Sequence, residues 1–266
     1  MNFPHRLRLK LKAFAANSIK KQLLAGRFAS RAFRFGRLGG DEAVVVMCLW
    51  NRSVRMPEIL RQLDAQDHPA GVRLYLWNNK RSEHGHYLSA LTAHTSSGAL
   101  RRVDIVKSPF NLGAIARFYW VRKLVLGGYT GPVMTLDDDE DVQPGFVSTA
   151  VAAYRPRTLT AWWAFTLGDG YWDRTPASPG DRVDYAGTGG MVLDPAVFRD
   201  TGFFTGMPQQ FWFLDDMWLN YFAKKQGYTF AKLDVQIDFV MHETNQFHEQ
   251  VYLKEDFYNY LYPPSA

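Results

Sequence analysis

Between Asp41 and Tyr154 short apolar runs alternate with amphipathic stretches, and this alternation narrows the available folds more than any other feature. Ala43 to Leu49 reads as a buried strand, and Pro57 to Gln66 as a helix with Ile59, Leu60 and Leu63 on one face. Val72 to Trp77 is a second strand, His86 to His94 a helix and Arg101 to Val106 a third strand. Ala114 to Leu126 then reads as helix, Pro132 to Leu136 as a fourth strand and Pro144 to Tyr154 as helix. Strands and helices joined by short connections predict an α/β domain, its mainly parallel sheet covered by helices on both faces. Such sheets bind ligands at the carboxyl ends of their strands. After residue 155 the rhythm changes, with strands expected over 158–166 and 184–193, a helix over 215–226 and a strand over 229–232. The expected organisation is an arm over 1–40, a domain over 41–250 with halves 41–155 and 156–250, and a tail over 251–266.

The arm stands apart by charge. Residues 1–40 hold ten Lys and Arg and no acid, so a net charge of +5 leaves the remainder of the chain at −5. Leu7, Leu9, Leu11, Phe14, Ile19, Leu23, Leu24 and Phe28 are interleaved with those cations. A basic amphipathic segment of this kind suits an anionic membrane surface, at about 1 kcal/mol per cation near the headgroups. Packing on the domain is the competing expectation. Nucleic acid is not an expected partner, because the rest of the chain is acidic. The longest apolar run, Ala43 to Trp50, falls well short of the roughly 20 residues that span a bilayer. The single cysteine, Cys48, excludes an intrachain disulfide and a zinc-cysteine site, which suits a cytoplasmic protein, peripheral on the membrane if the arm binds there.

The strongest chemical signal is Asp137-Asp138-Asp139-Glu140-Asp141, directly after the strand ending at Leu136. Two carboxylates about 4 Å apart repel by about 4 kcal/mol at an effective dielectric of 20, so acids converging at a sheet's binding edge call for a cation. Mg²⁺ or Mn²⁺, which take oxygen ligands, fit. An extended segment would point Asp137 and Asp139 one way and Asp138 the other. A solvated acidic turn is the competing expectation.

Asn111-Leu112-Gly113, Arg117, Gly128, Leu136-Asp137-Asp138-Asp139 and Pro144-Gly145 resemble the nucleotide-binding half of GT-A glycosyltransferases, family 2 in particular. Cys48-Leu49-Trp50-Asn51-Arg52 and Gln66-Asp67-His68-Pro69 resemble the opening of that family. Trp77-Asn78-Asn79 and Asp215-Asp216 with Met217 and Asn220 are similar to the exostosin-type family 64. The resemblance covers residues 43–232. It implies a GT-A fold, Rossmann-like, with Asp137-x-Asp139 as a DxD signature. Asp139 would bind Mn²⁺ or Mg²⁺ on the donor diphosphate, with Asp137 on the metal or ribose. Asn51, Arg52, Asn78, Asn111, Arg117 and Asp138 would line the nucleotide pocket. Asn78 stands where family 2 carries an acid that reads the base; uridine is the favoured base.

In the second half, Gly187-Thr188-Gly189-Gly190 would let backbone approach a sugar, and by resemblance Gly189 and Gly190 line the donor-sugar and acceptor site. Asp215 and Asp216 open the predicted helix, where either could be a plain cap. By resemblance they face the acceptor, with Asp216 as general base and Asp215 orienting in an inverting enzyme, or binding acceptor in a retaining one. His242 is the expected third metal ligand, ahead of His248. Trp172 is the expected aromatic platform for acceptor sugar, whereas Trp162 and Trp163 read as core.

The expected activity is metal-dependent transfer, of hexosyl or N-acetylhexosaminyl type, from a nucleotide-sugar donor to a glycan or lipid-linked acceptor. Two rivals stay open. A sugar-phosphate or nucleotidyl transferase would bring Lys or Arg beside the acids, and residues 132–146 contain none. A catalytically inactive membrane-surface scaffold would have no need of clustered like charges.

Overall fold

The computed structural model describes residues 17–240 and 251–263. Residues 17–24 are helical (α1) and Arg31–Arg34 form β1. There follow β2 (Ala43–Leu49), α2 (Met56–Asp64), β3 (Val72–Asn78), α3 (His84–Ala93), β4 (Leu100–Lys107), α4 (Arg117–Leu126), β5 (Val133–Leu136), β6 (Glu140–Val142) and α5 (Phe146–Ala153). The second half holds β7 (Thr158–Ala161), β8 (Ala164–Leu167), β9 (Arg174–Pro176), β10 (Tyr185–Ala186), β11 (Met191–Leu193), the single-turn α6 (Gly202–Thr205), α7 (Asp215–Lys225), β12 (Thr229–Lys232), β13 (Ile237–Phe239) and α8 (Val251–Leu261).

Eight strands make the main sheet, in the order β1-β4-β3-β2-β5-β11-β7-β12. The expected mixed, mainly parallel α/β sheet is therefore present: β4, β3, β2 and β5 are mutually parallel, and β11 runs antiparallel between β5 and β7. Two small sheets, β10-β8-β9 and β13-β6, sit beside it.

The alternating side chains of β2 show why both faces must be covered. Val44 and Val46 enter the core beneath α4, with Trp77, Phe118 and Phe198. Val45, Met47 and Leu49 enter the opposite core, with Leu60, Leu63 and Tyr87 of α2 and α3. This consecutive apolar run is what a two-sided parallel strand requires.

Both ends of the chain depart from the expected boundaries. β1, within the segment read as an arm, pairs antiparallel with β4 from Arg31↔Ile105 to Arg34↔Arg102. Leu23 of α1 is buried in the core, and Phe28 meets the Trp77 and Trp120 rings edge-on at 5.2 and 4.9 Å. The segment read as a tail contains α8, whose Phe257 is buried and stacks on Phe211 at 4.3 Å. Among the described residues no helix is long and apolar enough to cross a membrane.

Candidate functional site

A cavity of about 600 Å³ opens at the carboxyl ends of the parallel strands. Its wall takes Trp50 and Arg52 from the loop after β2, Asn79 after β3, Asn111, Gly113 and Arg117 from the approach to α4, and Asp137, Asp138 and Asp139 after β5. The opposite side carries Trp163, Tyr171, Arg174, Thr188, Asp215, Asp216, Phe239 and Lys254. Arg52, Asn111, Arg117 and Asp137 to Asp139, read as donor- or metal-binding, thus share one space with Asp215 and Asp216, read as acceptor-facing.

The acidic run is held by arginines from distant elements. Arg52 pairs with Asp138, both buried, and reaches Asp139 at 3.1 Å. Arg55 pairs with Asp141 at 2.6 Å, and Arg117 with Asp137 at 2.6 Å. Much of the repulsion that the sequence assigned to a metal is therefore offset by guanidinium groups. The sequence rule that counted cations only within residues 132–146 missed all three.

Asp138 braces the two loops. Its carboxylate accepts from Arg52 and from the Trp50 N–H at 2.8 Å, and its carbonyl accepts from Arg55 Nε at 3.1 Å. Burial pushes its carboxyl up to about 6, against the pull of Arg52. A turn rather than an extended segment separates the neighbouring acids, with Glu140 N–H directed at Asp137 O at 3.4 Å. The expected division still results: the Asp137 and Asp139 side chains are 35% and 21% exposed, against 6% for Asp138. Burial and the Asp137 charge both raise the Asp139 carboxyl above its ordinary range.

Glu140 is buried and accepts from Asp137 N–H at 2.8 Å. Its carboxyl lies well above the usual range through burial and the Asp137 charge. A side chain at Gly189 would collide with that carboxylate, which gives this glycine a steric reason. Gly190 takes φ +58° and packs under Ile237, so neither glycine itself lines the cavity; Thr188 does.

Arg117 joins the two acidic groups. Besides Asp137 it lies 3.7 Å from Asp215, and its own carbonyl contacts, Ala114 and Leu136, fix it at the base of the wall. Asp215 is 4% exposed, and burial pushes its carboxyl up to about 7. Asp216 accepts from the Tyr185 hydroxyl and from Met217 N–H at 2.8 Å. Asn220, one turn along α7, ties that helix to β10 through both Ala186 backbone groups.

Several expected positions shift. Asn78 is fully buried and bonded to His84 Nδ1 at 3.2 Å and Lys80 N–H at 2.8 Å, so it does not reach the cavity. Its neighbour Asn79 does, accepting from Leu112 N–H and donating to Gly113 O at 2.9 Å. Alternation at the end of β3 turns one asparagine in and the next out. Asn111 lines the cavity and accepts from Gly113 N–H at 2.9 Å; a Cβ on Gly113 would sit 2.6 Å from Trp212 O. Asn51 takes φ +57° at the bend that aims Trp50 and Arg52 inward, without lining the cavity itself. Trp172 is 43% exposed and lies against Tyr171 outside the cavity wall, whereas Trp163, read as core, is 39% exposed on that wall. His242 and His248 lie outside the described residues.

The donor set fits a hard divalent ion. Mg²⁺ is commonly held by one or two carboxylates plus substrate phosphates, and Asp137 and Asp139 each have only one oxygen in an arginine pair. Among the described residues no group of three His, Cys, Asp or Glu converges into a complete cage. Cys48 also faces the cavity, but desolvation pushes its thiol up to about 12, which leaves it unreactive near neutral pH.

Fold and site define an α/β protein with a cavity at the strand ends, walled by two acidic groups and an arginine that reaches both. No protein-family model and no curated protein matches the chain. Among solved structures it is similar to S. aureus TarS 1–349, with a TM-score of 0.47 and 13% identity over 73% of this chain and 58% of that one. The same TarS segment in complex with UDP-GlcNAc gives 0.46 and 12%, over 73% and 56%. The chain thus spans little more than half the length of those structures.

Proposed function

We propose that the protein is a metal-dependent glycosyltransferase that moves a hexosyl or N-acetylhexosaminyl group from a nucleoside diphosphate to a glycan or lipid-linked acceptor. The observation that carries this reading is that Asp137 and Asp139 line one cavity with Asp215 and Asp216, Arg117 lying between Asp137 and Asp215. Mn²⁺ or Mg²⁺ bound at Asp137 and Asp139 would supply Lewis-acid stabilisation of the departing diphosphate. Asp216 takes the proton of the acceptor hydroxyl as its oxygen bonds to the anomeric carbon and the bond from that carbon to diphosphate breaks. Tyr185 and Met217 N–H hold the Asp216 carboxylate in place for that transfer. Asp215, deeper and against Arg117, orients the arginine between the two groups.

Asn78, expected to line the nucleotide pocket, is buried outside the cavity and is not offered to the base; UDP is the first donor to test. Incubating a panel of UDP-, GDP- and CDP-sugars with the protein and Mn²⁺ should release one nucleoside diphosphate, and EDTA should stop the release. Release from none of them would contradict the reading. The arginines gathered at the acids favour nucleotidyl transfer as a second reading. Pyrophosphate release from a nucleoside triphosphate and a sugar phosphate would establish that reading instead.

A further inference from the structure

Four cations line the cavity, and they fall into two pairs. Arg52 and Arg117 lie in ion pairs with Asp138, Asp139, Asp137 and Asp215. Arg174 and Lys254, on the Asp216 side, have no carboxylate within 4 Å among the described residues, although both are half-buried.

Both cations lie against aromatic rings. The Arg174 guanidinium lies 4.6 Å from the Phe165 ring centre, 4.9 Å from that of Tyr171 and 5.2 Å from that of Trp172. It also donates to the Tyr171 hydroxyl at 3.1 Å. Lys254 Nζ approaches the same Tyr171 ring at 5.6 Å from α8. Aromatic faces stabilise a cation without neutralising it, so both charges remain available to a ligand. A partly desolvated cation with no carboxylate within ion-pair distance among the described residues is less favourable than a paired one, and a bound anion relieves that cost. The planar guanidinium, held by its rings, suits a phosphate or carboxylate, which it can grip with two parallel N–H groups.

Location separates this pair from the donor. The carboxylate acting on Lys254 is Asp216, whereas the acidic run carries its own arginines. Trp163, exposed on the same wall, offers a face on which a sugar ring can stack.

We infer that Arg174 and Lys254 form an anion-recognising acceptor subsite, so that the acceptor is a sugar bearing a phosphate or carboxylate close to the hydroxyl that is glycosylated. This rests on the glycosyl-transfer reading above. It deepens that reading by assigning charge to the acceptor, and it gives α8 a function as the element that delivers Lys254.

The test is calorimetric titration of glucose 6-phosphate, glucuronic acid and glucose into the full-length protein saturated with UDP and Mn²⁺. At least one anionic sugar should bind tenfold or more tightly than glucose, and comparison of the two separates phosphate from carboxylate recognition. Lys254→Met and Arg174→Gln should each weaken that binding fivefold or more while UDP affinity stays as in the parent protein. Lys254 is on a half-buried position of α8, so its variant serves if Arg174→Gln fails to fold. Equal binding of glucose and both anionic sugars, or undiminished binding in Lys254→Met, would overturn the inference. So would loss of UDP affinity with sugar binding retained, which would assign the cations to the donor. If UDP itself does not bind, the donor reading fails separately, and the same sugars titrated without nucleotide still decide whether Arg174 and Lys254 recognise an anion.

Discussion

The two acidic groups that face each other across the cavity are built in opposite ways. Asp137 to Asp141 follow a buried parallel strand and are pinned by three arginines drawn from two other elements. Asp215 and Asp216 open a helix; Asp215 lies 3.7 Å from Arg117, and Asp216 takes a tyrosine hydroxyl as its side-chain partner. The first arrangement fixes several carboxylates in place, although burial raises Asp138, Asp139 and Glu140 above the ordinary carboxylate range. The second leaves one carboxylate poised by hydrogen bonds and its neighbour pushed up by burial, which suits proton transfer. The two walls thus differ in how they are braced, one by several arginines and the other by hydrogen bonds and burial.

The contrast is tested most directly at Asp216. Asp216→Asn should lower turnover about 10²- to 10⁴-fold, the usual worth of a general base, and leave UDP affinity unchanged. Steady-state release of nucleoside diphosphate beside a UDP titration checks both halves, and normal turnover would remove Asp216 from the mechanism.

The bracing of the first group is exposed by Arg52→Ala, which strands the buried Asp138 carboxylate. Breaking a buried pair in this way costs about 3–5 kcal/mol, read as a shift in the denaturant midpoint. Because the Asp138 carboxyl already lies near 6, the loss should be larger at pH 8 than at pH 5, where protonation removes the unpaired charge. A pH-independent loss would show that packing, not charge, is what Arg52 supplies.

A smaller effect distinguishes Asp215. Its folded pKa, about 7, lies above the ordinary carboxylate value of about 3.9, so the folded state binds the extra proton between those limits. That contribution to stability is complete below about pH 4 and is lost as the pH rises through 7. Asp215→Asn should flatten this fall in thermal stability, and an unchanged slope would deny Asp215 its buried, proton-retaining state.

The smallest effect concerns the basic arm. Because residues 31–34 belong to the main sheet, membrane attraction is to be sought in residues 1–16, which carry Arg6, Arg8, Lys10 and Lys12. Removing residues 1–16 should reduce sedimentation with phosphatidylglycerol vesicles several-fold at low salt and leave turnover on a soluble acceptor intact. Undiminished sedimentation would end the membrane reading.

The first half was legible because its strands are long and buried on both faces. Ala43–Leu49 shows in sequence as a continuous apolar run and Val72 to Trp77 as one interrupted only by Arg73, and the acids after Leu136 stand at a strand end. The second half was less so. The run read as one strand over 158–166 is two strands in different sheets, broken where Trp162 N–H binds Gly190 O and Trp163 O accepts from Gly187 N–H. That bend turns Trp163 onto the cavity, and no local propensity announces it. The exchange of Asn78 for Asn79 is an error of one residue at a strand end, where alternation is decided by the turn that follows. The helix carrying Lys254 did leave a signal: Leu253, Phe257 and Leu261 recur at four-residue spacing and pack on the core. Arg174 left none, since its significance lies in the rings of Phe165, Tyr171 and Trp172 that fold around it.

The central claim is that Asp137 and Asp139 hold a cation for a nucleoside diphosphate. Calorimetric titration of UDP into the parent protein and Asp139→Ala, each with Mn²⁺ and with EDTA, tests it most directly. The account predicts binding in the parent that EDTA abolishes, and a loss of at least tenfold in Asp139→Ala with the fold intact by circular dichroism. Equal UDP affinity in the two proteins with Mn²⁺ present would contradict it.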